Sequence, residues 1–298
     1  MDAMDDLDLV RAGDPAPAEP AVEVRRPLVS ATPLVFASPH SGRLYPIEML
    51  AASSLSSAAI RRSEDALVDD LIESAPAFGI SVISARYARA YMDVNRDAYE
   101  LDPAMFEDEL PPFARGRSPR IAAGLGAIAR VVGDGQEIYD RKLVYADAER
   151  RIAGVHQPYH AALSGLLQET KAQFGRVALI DWHSMPSMAA RPSRAGRTPD
   201  FVLGDRFGVS CTARLPALVE RELKVLGYEV ARNAPYAGGY TTEFYGDPSH
   251  DVHVLQVEIN RGLYLDEAAV APHAGFPRLK ADLTKVFEAL ARNWTPPV

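Results

Sequence analysis

The chain has 298 residues, of which 47% are hydrophobic and 24% are charged, and its formal net charge is −8. The acidic balance argues against nucleic-acid binding, and the single cysteine, Cys211, excludes an intramolecular disulfide and a cysteine-based zinc site. No apolar run approaches the ~20 residues of a membrane span, and the N-terminus lacks a secretory pattern. We therefore expect a cytoplasmic enzyme, whose oligomeric state the sequence leaves open.

Strands and helices alternate along most of the chain. Residues 1–27, rich in Asp, Ala and Pro, are predicted to form a flexible arm, and residues 28–298 a single domain. Predicted strands cover 34–40, 80–87, 90–96, 176–184, 228–233 and 253–261. Predicted helices cover 55–75, 147–175 with a break near Pro158, 213–227 and 277–294. Residues 97–140 form a connection with little periodicity that is longer than an ordinary loop, which is typical of a functional lid or insertion. This alternation is typical of an α/β sheet covered on both faces.

Two histidines stand at the ends of predicted strands. His40 follows the apolar run "LVFASP" and His183 follows "ALIDW", and each is followed by a serine and a loop. Ligands of open α/β sheets bind at the carboxyl ends of the strands, and a catalytic zinc takes three His or carboxylate ligands. A third ligand is available among Glu64, Asp65, Asp69 and Asp70, although these acids are equally suited to the first turns of a helix.

His156 and His160 stand four residues apart in a predicted helix, as zinc histidines do. The first of them is not followed by a glutamate, so packing explains this pair better than metal binding.

Glu258 lies inside the apolar stretch "HVLQVEINR". Burial of a lone carboxylate is costly and raises its pKa towards the range that suits a general base. A buried ion pair with Arg261 or another arginine is the alternative.

A group of arginines suggests recognition of a carboxylate. Arg86, Arg89 and Arg96 stand close to Asn95 in "ARYARAYMDVNR", and a guanidinium binds a carboxylate through two parallel hydrogen bonds. A solvated strand edge is the alternative. The loop 236–246, "YAGGYTTEFYG", adds glycines that permit close approach to a ligand and hydroxyls that orient it.

Taken together, these stretches resemble the N-formylglutamate amidohydrolase family. The matching motifs are "SPHSGRLYP", "SEDALVDDL", "RYARAYMDVNR", "GLGAIARVV", "DWHSMPS", "DFVLGDRFGVSC", "GGYTTEFYG" and "VHVLQVEINRGLYLDE". They follow one another from about residue 34 to 267, so the resemblance covers most of the chain.

The resemblance implies a single catalytic domain with a zinc-carboxypeptidase-like fold, in which a mixed, mostly parallel sheet carries helices on both faces. It also implies hydrolysis of N-formyl-L-glutamate to formate and L-glutamate in histidine degradation. Zinc, or another divalent metal, is expected on His40, Asp65 and His183, with Glu258 as the base. In related families the first His and the acid are close in sequence. Here they are far apart, so Glu64 and Asp69 stay open as the third ligand.

Further roles follow from the same resemblance. Asn95 and Arg96 are expected to hold a substrate carboxylate, with Arg86 and Arg89 as further binding residues. Tyr240 is expected to line the glutamyl side of the site. Asp181 is expected to contact a metal ligand on the side away from the metal and so to orient it. The alternatives are a zinc amidase for another N-acyl amino acid or a short peptide, and a non-catalytic binding protein with the same fold.

Overall fold

The structure, a computed structural model, describes residues 8–10, 19–29, 31–189 and 198–294. In chain order the strands are β1 (Asp8–Val10), β2 (Val22–Arg25), β3 (Leu34–Ser38), β4 (Leu44–Pro46), β5 (Ser81–Ala85), β6 (Val177–Met185), β7 (Phe201–Gly204), β8 (Val230–Arg232), β9 (Val252–Asn260), β10 (Leu265–Asp266) and β11 (Ala271–Pro272). The helices are α1 (Ile47–Ala51), α2 (Ser57–Ile60), α3 (Val68–Leu71), α4 (Pro119–Ala122), α5 (Tyr145–Arg151), α6 (Gln157–Phe174), α7 (Arg214–Val225), α8 (Tyr240–Tyr245) and α9 (Phe276–Asn293).

Seven strands form the main sheet, in the order β2-β5-β3-β6-β9-β7-β8. The neighbours β5, β3, β6 and β9 run parallel, whereas β2 pairs antiparallel with β5 and β7 pairs antiparallel with β9. The sheet is therefore mixed and mostly parallel, as predicted. Its central strands are buried along almost their whole length, which explains their nearly continuous apolar sequences.

The two faces of the sheet carry separate apolar layers. In β3, Val35 and Ala37 pack into the layer that contains the apolar side of α6. Leu34 and Phe36 point the other way, because successive side chains of a strand alternate, and they join the layer beneath α7 and α9. The chain thus forms one α/β domain with helices on both faces, as predicted. Within the described residues, no helix combines the length and hydrophobicity that crossing a bilayer requires.

The predicted helix at 55–75 is not continuous. Helices α2 and α3 are its two short remnants, and between them Glu64 is extended and Leu67 has a left-handed backbone with φ of 63°. The prediction was wrong because Asp65, in the middle of this segment, bonds through its backbone N–H and carbonyl to the loop after β3. Local helical preference is a weak term that tertiary contacts override.

Two other boundaries differ from the prediction. Residues 90–96 form turns rather than a strand, and the carbonyls of Val94 and Arg96 accept hydrogen bonds from histidine side chains instead of a strand. Within the predicted arm, Val22–Arg25 is an edge strand of the main sheet and Asp8–Val10 pairs with β4. The predicted flexibility of residues 1–7 and 11–18 lies outside the described residues. The predicted break near Pro158 corresponds to a π-helical turn at Ile152–His156.

Candidate metal centre and active site

Three side chains converge at the carboxyl ends of the central strands. His40 follows β3, His183 lies near the end of β6, and Asp65 comes from the interrupted helical segment. The Nδ1 atoms of the two histidines are 3.1 Å apart, and Asp65 Oδ2 is 3.3 Å from His40 Nδ1 and 3.0 Å from His183 Nδ1. All three residues are buried, and together they could hold a metal ion.

Asp65 reaches the histidines because its segment is bonded to the loop that carries His40. The backbone N–H of Asp65 donates to the carbonyl of His40 at 3.0 Å. The hydroxyl of Ser41 donates to the carbonyl of Asp65 and accepts from the backbone N–H of Asp69. These contacts explain how a histidine and an acid that are distant in sequence meet at one point.

The two acids that were left open as third ligands point elsewhere. Glu64 accepts a hydrogen bond from the hydroxyl of Tyr45 at 2.6 Å and pairs with Arg61. Asp69 pairs with Arg43 at 2.9 Å. Of the acids proposed from the sequence, Asp65 is the one that lies against both histidines.

Each of the three converging residues has a partner on its far side. His40 Nε2 lies 2.6 Å from Asp93 Oδ1, and His183 Nε2 lies 3.0 Å from Asp181 Oδ2. The second oxygen of Asp65 accepts a hydrogen bond from Arg261 Nη2 at 3.0 Å. Metal-binding histidines commonly have a carboxylate behind them in this way, which orients the ring and fixes its tautomer.

The donor set fits a metal ion. Asp93 favours a proton on His40 Nε2, and Asp181, neither of whose oxygens receives a well-aligned hydrogen bond among the described residues, lies 3.0 Å from His183 Nε2. The two Nδ1 lone pairs and the Asp65 oxygen then face one another, an arrangement that repels unless a cation lies between them. Ligand atoms of a tetrahedral zinc stand about 3.3 Å apart, close to the separations of 3.0 to 3.3 Å found here.

The electrostatics of the group lead to the same conclusion. Burial opposes ionisation of Asp65, but hydrogen bonds to His183 and His40 hold its pKa well below the ordinary value. Burial alone would lower the pKa of His183, yet the carboxylates of Asp181 and Asp65 raise it well above its usual range. The pocket therefore stabilises positive charge between these residues, supplied either by a proton or by a metal ion.

Glu258 stands directly beside this group. It lies in β9 opposite His183 of β6 in the sheet register, it is buried, and its Oε1 accepts a hydrogen bond from Gln256 at 2.7 Å. Burial raises its pKa to about 7, and the Coulomb attraction of His183 offsets this only in part. Arg261, the alternative partner considered from the sequence, bonds to Asp65 and Ser184 instead. Glu258 is thus a carboxylate suited to exchange a proton near neutral pH.

A cavity of about 470 Å³ opens over these residues. Its walls include the three converging residues and Glu258, together with the arginines Arg62, Arg89, Arg96, Arg120 and Arg261. Part of one wall comes from residues 120–133 in the long connection, and another part from the loop 235–239. Five guanidinium groups around one cavity favour an anionic ligand.

Two residues expected at the substrate lie away from the cavity. Arg86 forms an ion pair with Glu19 at 2.6 Å, because it follows the end of β5 on the side facing the N-terminal segment. Tyr240 begins α8 and stacks with Phe244 and against His160. Neither residue lines the cavity, whereas Tyr236 of the same loop does.

Asn95 connects two loops of the site. Its Oδ1 accepts hydrogen bonds from the backbone N–H and the hydroxyl of Thr241 at 2.8 and 2.9 Å, and its Nδ2 lies 3.2 Å from His183 Nε2. Gly239 is required here, since a Cβ on it would come within 2.6 Å of Asn95 Nδ2. The amide of Asn95 is therefore occupied in holding α8 next to the histidine.

His156 and His160 support the turn that carries Asp93 and Asn95. His156 Nε2 donates to the carbonyl of Arg96 at 2.9 Å, and His160 Nε2 donates to that of Val94 at 2.8 Å. The other nitrogen of His160 accepts from the hydroxyl of Tyr245. Packing rather than metal binding was predicted for this pair, and these contacts agree with that interpretation.

The sequence reasoning missed several residues of the site. Asp93, Gln256 and Tyr236 were not singled out, although Asp93 lies in the quoted motif "YMDVNR" and Gln256 is two residues before Glu258 on the same face of a strand. The period of two in a strand would have found Gln256. A partner for the second nitrogen of each candidate histidine would have been the signal for Asp93.

Comparisons with known proteins agree on one family. The family model described as N-formylglutamate amidohydrolase matches residues 32–265. N-formylglutamate deformylase of Pseudomonas aeruginosa is 31% identical over 265 residues, which cover 88% of this chain and 90% of that protein. The Pseudomonas putida deformylase is 29% identical over 241 residues, covering 79% and 82%. The crystal structure of N-formylglutamate amidohydrolase from Ralstonia eutropha JMP134 superposes with a TM-score of 0.86 at 37% identity, covering 91% of this chain and 97% of that one. The chain belongs to the N-formylglutamate amidohydrolase family.

Proposed function

We propose that the protein hydrolyses N-formyl-L-glutamate to formate and L-glutamate. Its proposed cofactor is a divalent metal ion, with zinc as the first choice. The observation that carries this proposal is the buried group of His40, Asp65 and His183 beside Glu258, in a cavity rich in arginine. We infer the substrate from the relatives, which are an N-formylglutamate deformylase and an N-formylglutamate amidohydrolase. A role in histidine degradation and a cytoplasmic location stay predictions.

The Nδ1 atoms of His40 and His183 and Oδ2 of Asp65 would hold the metal. When bound, the metal supplies Lewis acidity, which polarises the formyl carbonyl and makes water more acidic. Asp93, Asp181 and Arg261 keep the three ligands oriented through their second atoms. Because the ligands are buried and held from behind, little reorganisation is needed when the metal enters.

Glu258 moves the proton in this scheme. Its carboxylate takes a proton from the attacking water, whose oxygen forms a bond to the formyl carbon. It then gives that proton to the leaving nitrogen of glutamate as the C–N bond breaks. A pKa raised to about 7 suits both transfers, since the group must accept a proton and release it again at neutral pH.

We assign binding of the substrate α-carboxylate to Arg96. Its Nε and Nη1 are bonded to the carbonyls of Leu125 and Asn95, while Nη2 is 3.9 Å from Asp93, its nearest acid. Nη2 of this guanidinium therefore has no hydrogen-bond acceptor among the described residues, and Arg96 lines the cavity. Asn95, expected to share this role, holds Thr241 instead.

The decisive experiment compares acyl groups on one amino acid. Purified, metal-loaded protein is incubated with N-formyl-, N-acetyl- and N-succinyl-L-glutamate, and the released amine is measured. We expect release of glutamate from the formyl compound at a kcat/KM at least tenfold above the other two. Faster release from the acetyl or succinyl compound would make the protein a different amidase of the same family, and release from none would refute the proposal.

A further inference from the structure

The long connection between residues 97 and 140 is built into the site. Its residues Arg120, Leu125, Gly126, Ala129, Val131 and Gly133 form one wall of the cavity. Arg120 belongs to α4, whose first turn is held by Ser118: the hydroxyl of Ser118 accepts from the backbone N–H of Ile121 and donates to the carboxylate of Glu100. The backbone that presents Arg120 is therefore tied to Glu100, near the start of the same connection.

The guanidinium of Arg120 is incompletely paired. Its nearest acid is Glu100, whose Oε2 is 3.8 Å from Arg120 Nη1, beyond hydrogen-bond distance. The other oxygen of Glu100 is already bonded to Ser118. Among the described residues, no acceptor forms a hydrogen bond with the Arg120 guanidinium, so its N–H donors remain available to a ligand.

Arg120 adds to a positive region that the neighbouring acids do not neutralise. The carboxylate of Asp93 already pairs with His40 and with Arg89, at N–O distances of 2.6 and 2.8 Å. Burial lowers the pKa of Arg96; Asp93 opposes this only in part, and the nearby cations Arg89 and Arg120 lower the pKa further. The wall around Arg96 and Arg120 thus presents two guanidinium groups with free donors to the cavity.

We propose that Arg120 binds the side-chain carboxylate of the substrate and makes the site selective for acidic N-formyl amino acids. This inference rests on the proposed function, in which Arg96 holds the α-carboxylate. Formylglutamate brings two carboxylates, and a guanidinium binds a carboxylate through charge-assisted hydrogen bonds, with bidentate geometry where both donors of one edge are free, as in Arg120. The long connection then determines which amino acid is accepted, while the histidines and Glu258 perform the hydrolysis.

The test compares N-formyl-L-glutamate with N-formyl-L-glutamine, which has the same shape but no side-chain charge. We expect Arg120→Gln to lower kcat/KM on formylglutamate by tenfold or more and to leave that on formylglutamine within about twofold. Arg120→Lys, which keeps the charge but loses the planar fork, should fall between wild type and Arg120→Gln in its selectivity. The matched control is Arg117→Gln, since Arg117 is an exposed arginine of the same segment outside the cavity.

The possible failures are distinguishable. Equal losses on both substrates, or an unchanged ratio of the two kcat/KM values in both Arg120 variants, would overturn this inference and leave the proposed function intact. Wild-type protein that deformylates neither compound would overturn the proposed function itself. Metal content and melting temperature, measured for every variant, separate a lost contact from a lost fold.

Discussion

Two buried carboxylates close to the histidines have opposite pKa shifts. Burial raises the pKa of both, but His40, Arg89 and Arg96 surround Asp93 and hold its pKa well below the ordinary range. Within the described part of the chain Glu258 has a single hydrogen bond, from the neutral amide of Gln256, and burial raises its pKa to about 7. Asp93 therefore stays ionised and orients His40, whereas Glu258 is free to bind and release a proton.

Replacement of Glu258 tests this division. Glu258→Gln keeps the shape of the side chain but removes its basic site, so we expect kcat to fall about a hundredfold or more. Zinc content and melting temperature should stay close to those of wild type. Turnover within a few-fold of wild type would show that Glu258 serves the structure only.

The pH profile provides the control for this variant. Glu258 acts as a base only when it is deprotonated, so its raised pKa means that kcat/KM increases as the pH rises towards about 7. A bound divalent cation favours the carboxylate and moves this midpoint lower. The residual rate of Glu258→Gln should lack this acidic limb.

At the level of single residues, sequence reasoning is most informative where chemistry narrows the choice. His40, His183 and Glu258 were singled out because few side chains bind metals or are costly to bury without a partner, whereas Asp65 was chosen among neighbouring acids through the family resemblance; the structure brings all four together. Arg86 failed because arginines are common at strand ends, and sequence does not reveal which of them turns outwards to an acid such as Glu19.

Among the elements, the supporting turn at 93–96 depends on a histidine pair in one helix. The π-helical turn Ile152–His156 precedes α6, and His156 and His160 together bond to carbonyls on both sides of Asn95. Extra residues in helical turns are often retained at functional sites. Here the turn aligns His156 with the loop that carries Asp93, the outer partner of His40.

His160 makes the stability of this contact dependent on pH. Burial lowers its pKa from 6.5 to about 4 in the folded protein. The unfolded chain therefore binds more protons between these two values, so stability is complete above pH 6.5 and falls as the pH drops towards 4. In His160→Gln this contribution is absent, and we expect its free energy of unfolding to change less than that of wild type between pH 7 and pH 5.

Urea unfolding at both pH values measures the difference. His250→Gln is the matched control, because His250 is exposed and pairs with Asp247 on the surface. A pH dependence identical in His160→Gln and wild type would mean that His160 is not held neutral in the folded state.

Periodicity was a good guide to long elements and a poor one to short ones. The continuous helix of α5, the π-helical turn and α6 lies close to its predicted range, as do α7 and α9, because each has an apolar side that packs on the sheet. The segment 55–75 also has helical spacing, yet its backbone bonds with the His40 loop prevail. Such long-range contacts leave no trace in local sequence patterns.

In the whole molecule, the metal group joins separate parts of the chain. His40, Asp65 and His183 come from three segments, and the partners behind two of them, Asp93 and Arg261, come from further segments. Order along the sequence predicted a mostly parallel sheet, but the antiparallel insertion of β7 beside β9 was not predictable, since strand pairing depends on contacts distant in sequence.

Metal removal should therefore weaken the entire fold. A metal that binds only the folded state stabilises it by about 4 kcal/mol at a free concentration a thousandfold above its Kd. We expect the melting temperature to rise by several degrees when zinc is added to chelator-treated protein. The melting temperature of Asp65→Asn, which lacks one ligand charge, should respond much less to zinc. Equal melting temperatures of wild type with zinc and with chelator would show that no bound cation stabilises the fold.

The pairing of His183 with Glu258 across β6 and β9 has a consequence for engineering. Two neighbouring strands stand about 4.8 Å apart whatever the conformation of their loops, so the spacing between the proposed metal ligand His183 and the proposed base Glu258 is set by the sheet. The segment 97–140 and the loop 235–239 supply much of the remaining cavity wall. A library that randomises these two segments alone should yield amidases with new acyl or amino-acid preferences while the hydrolytic pair keeps its separation.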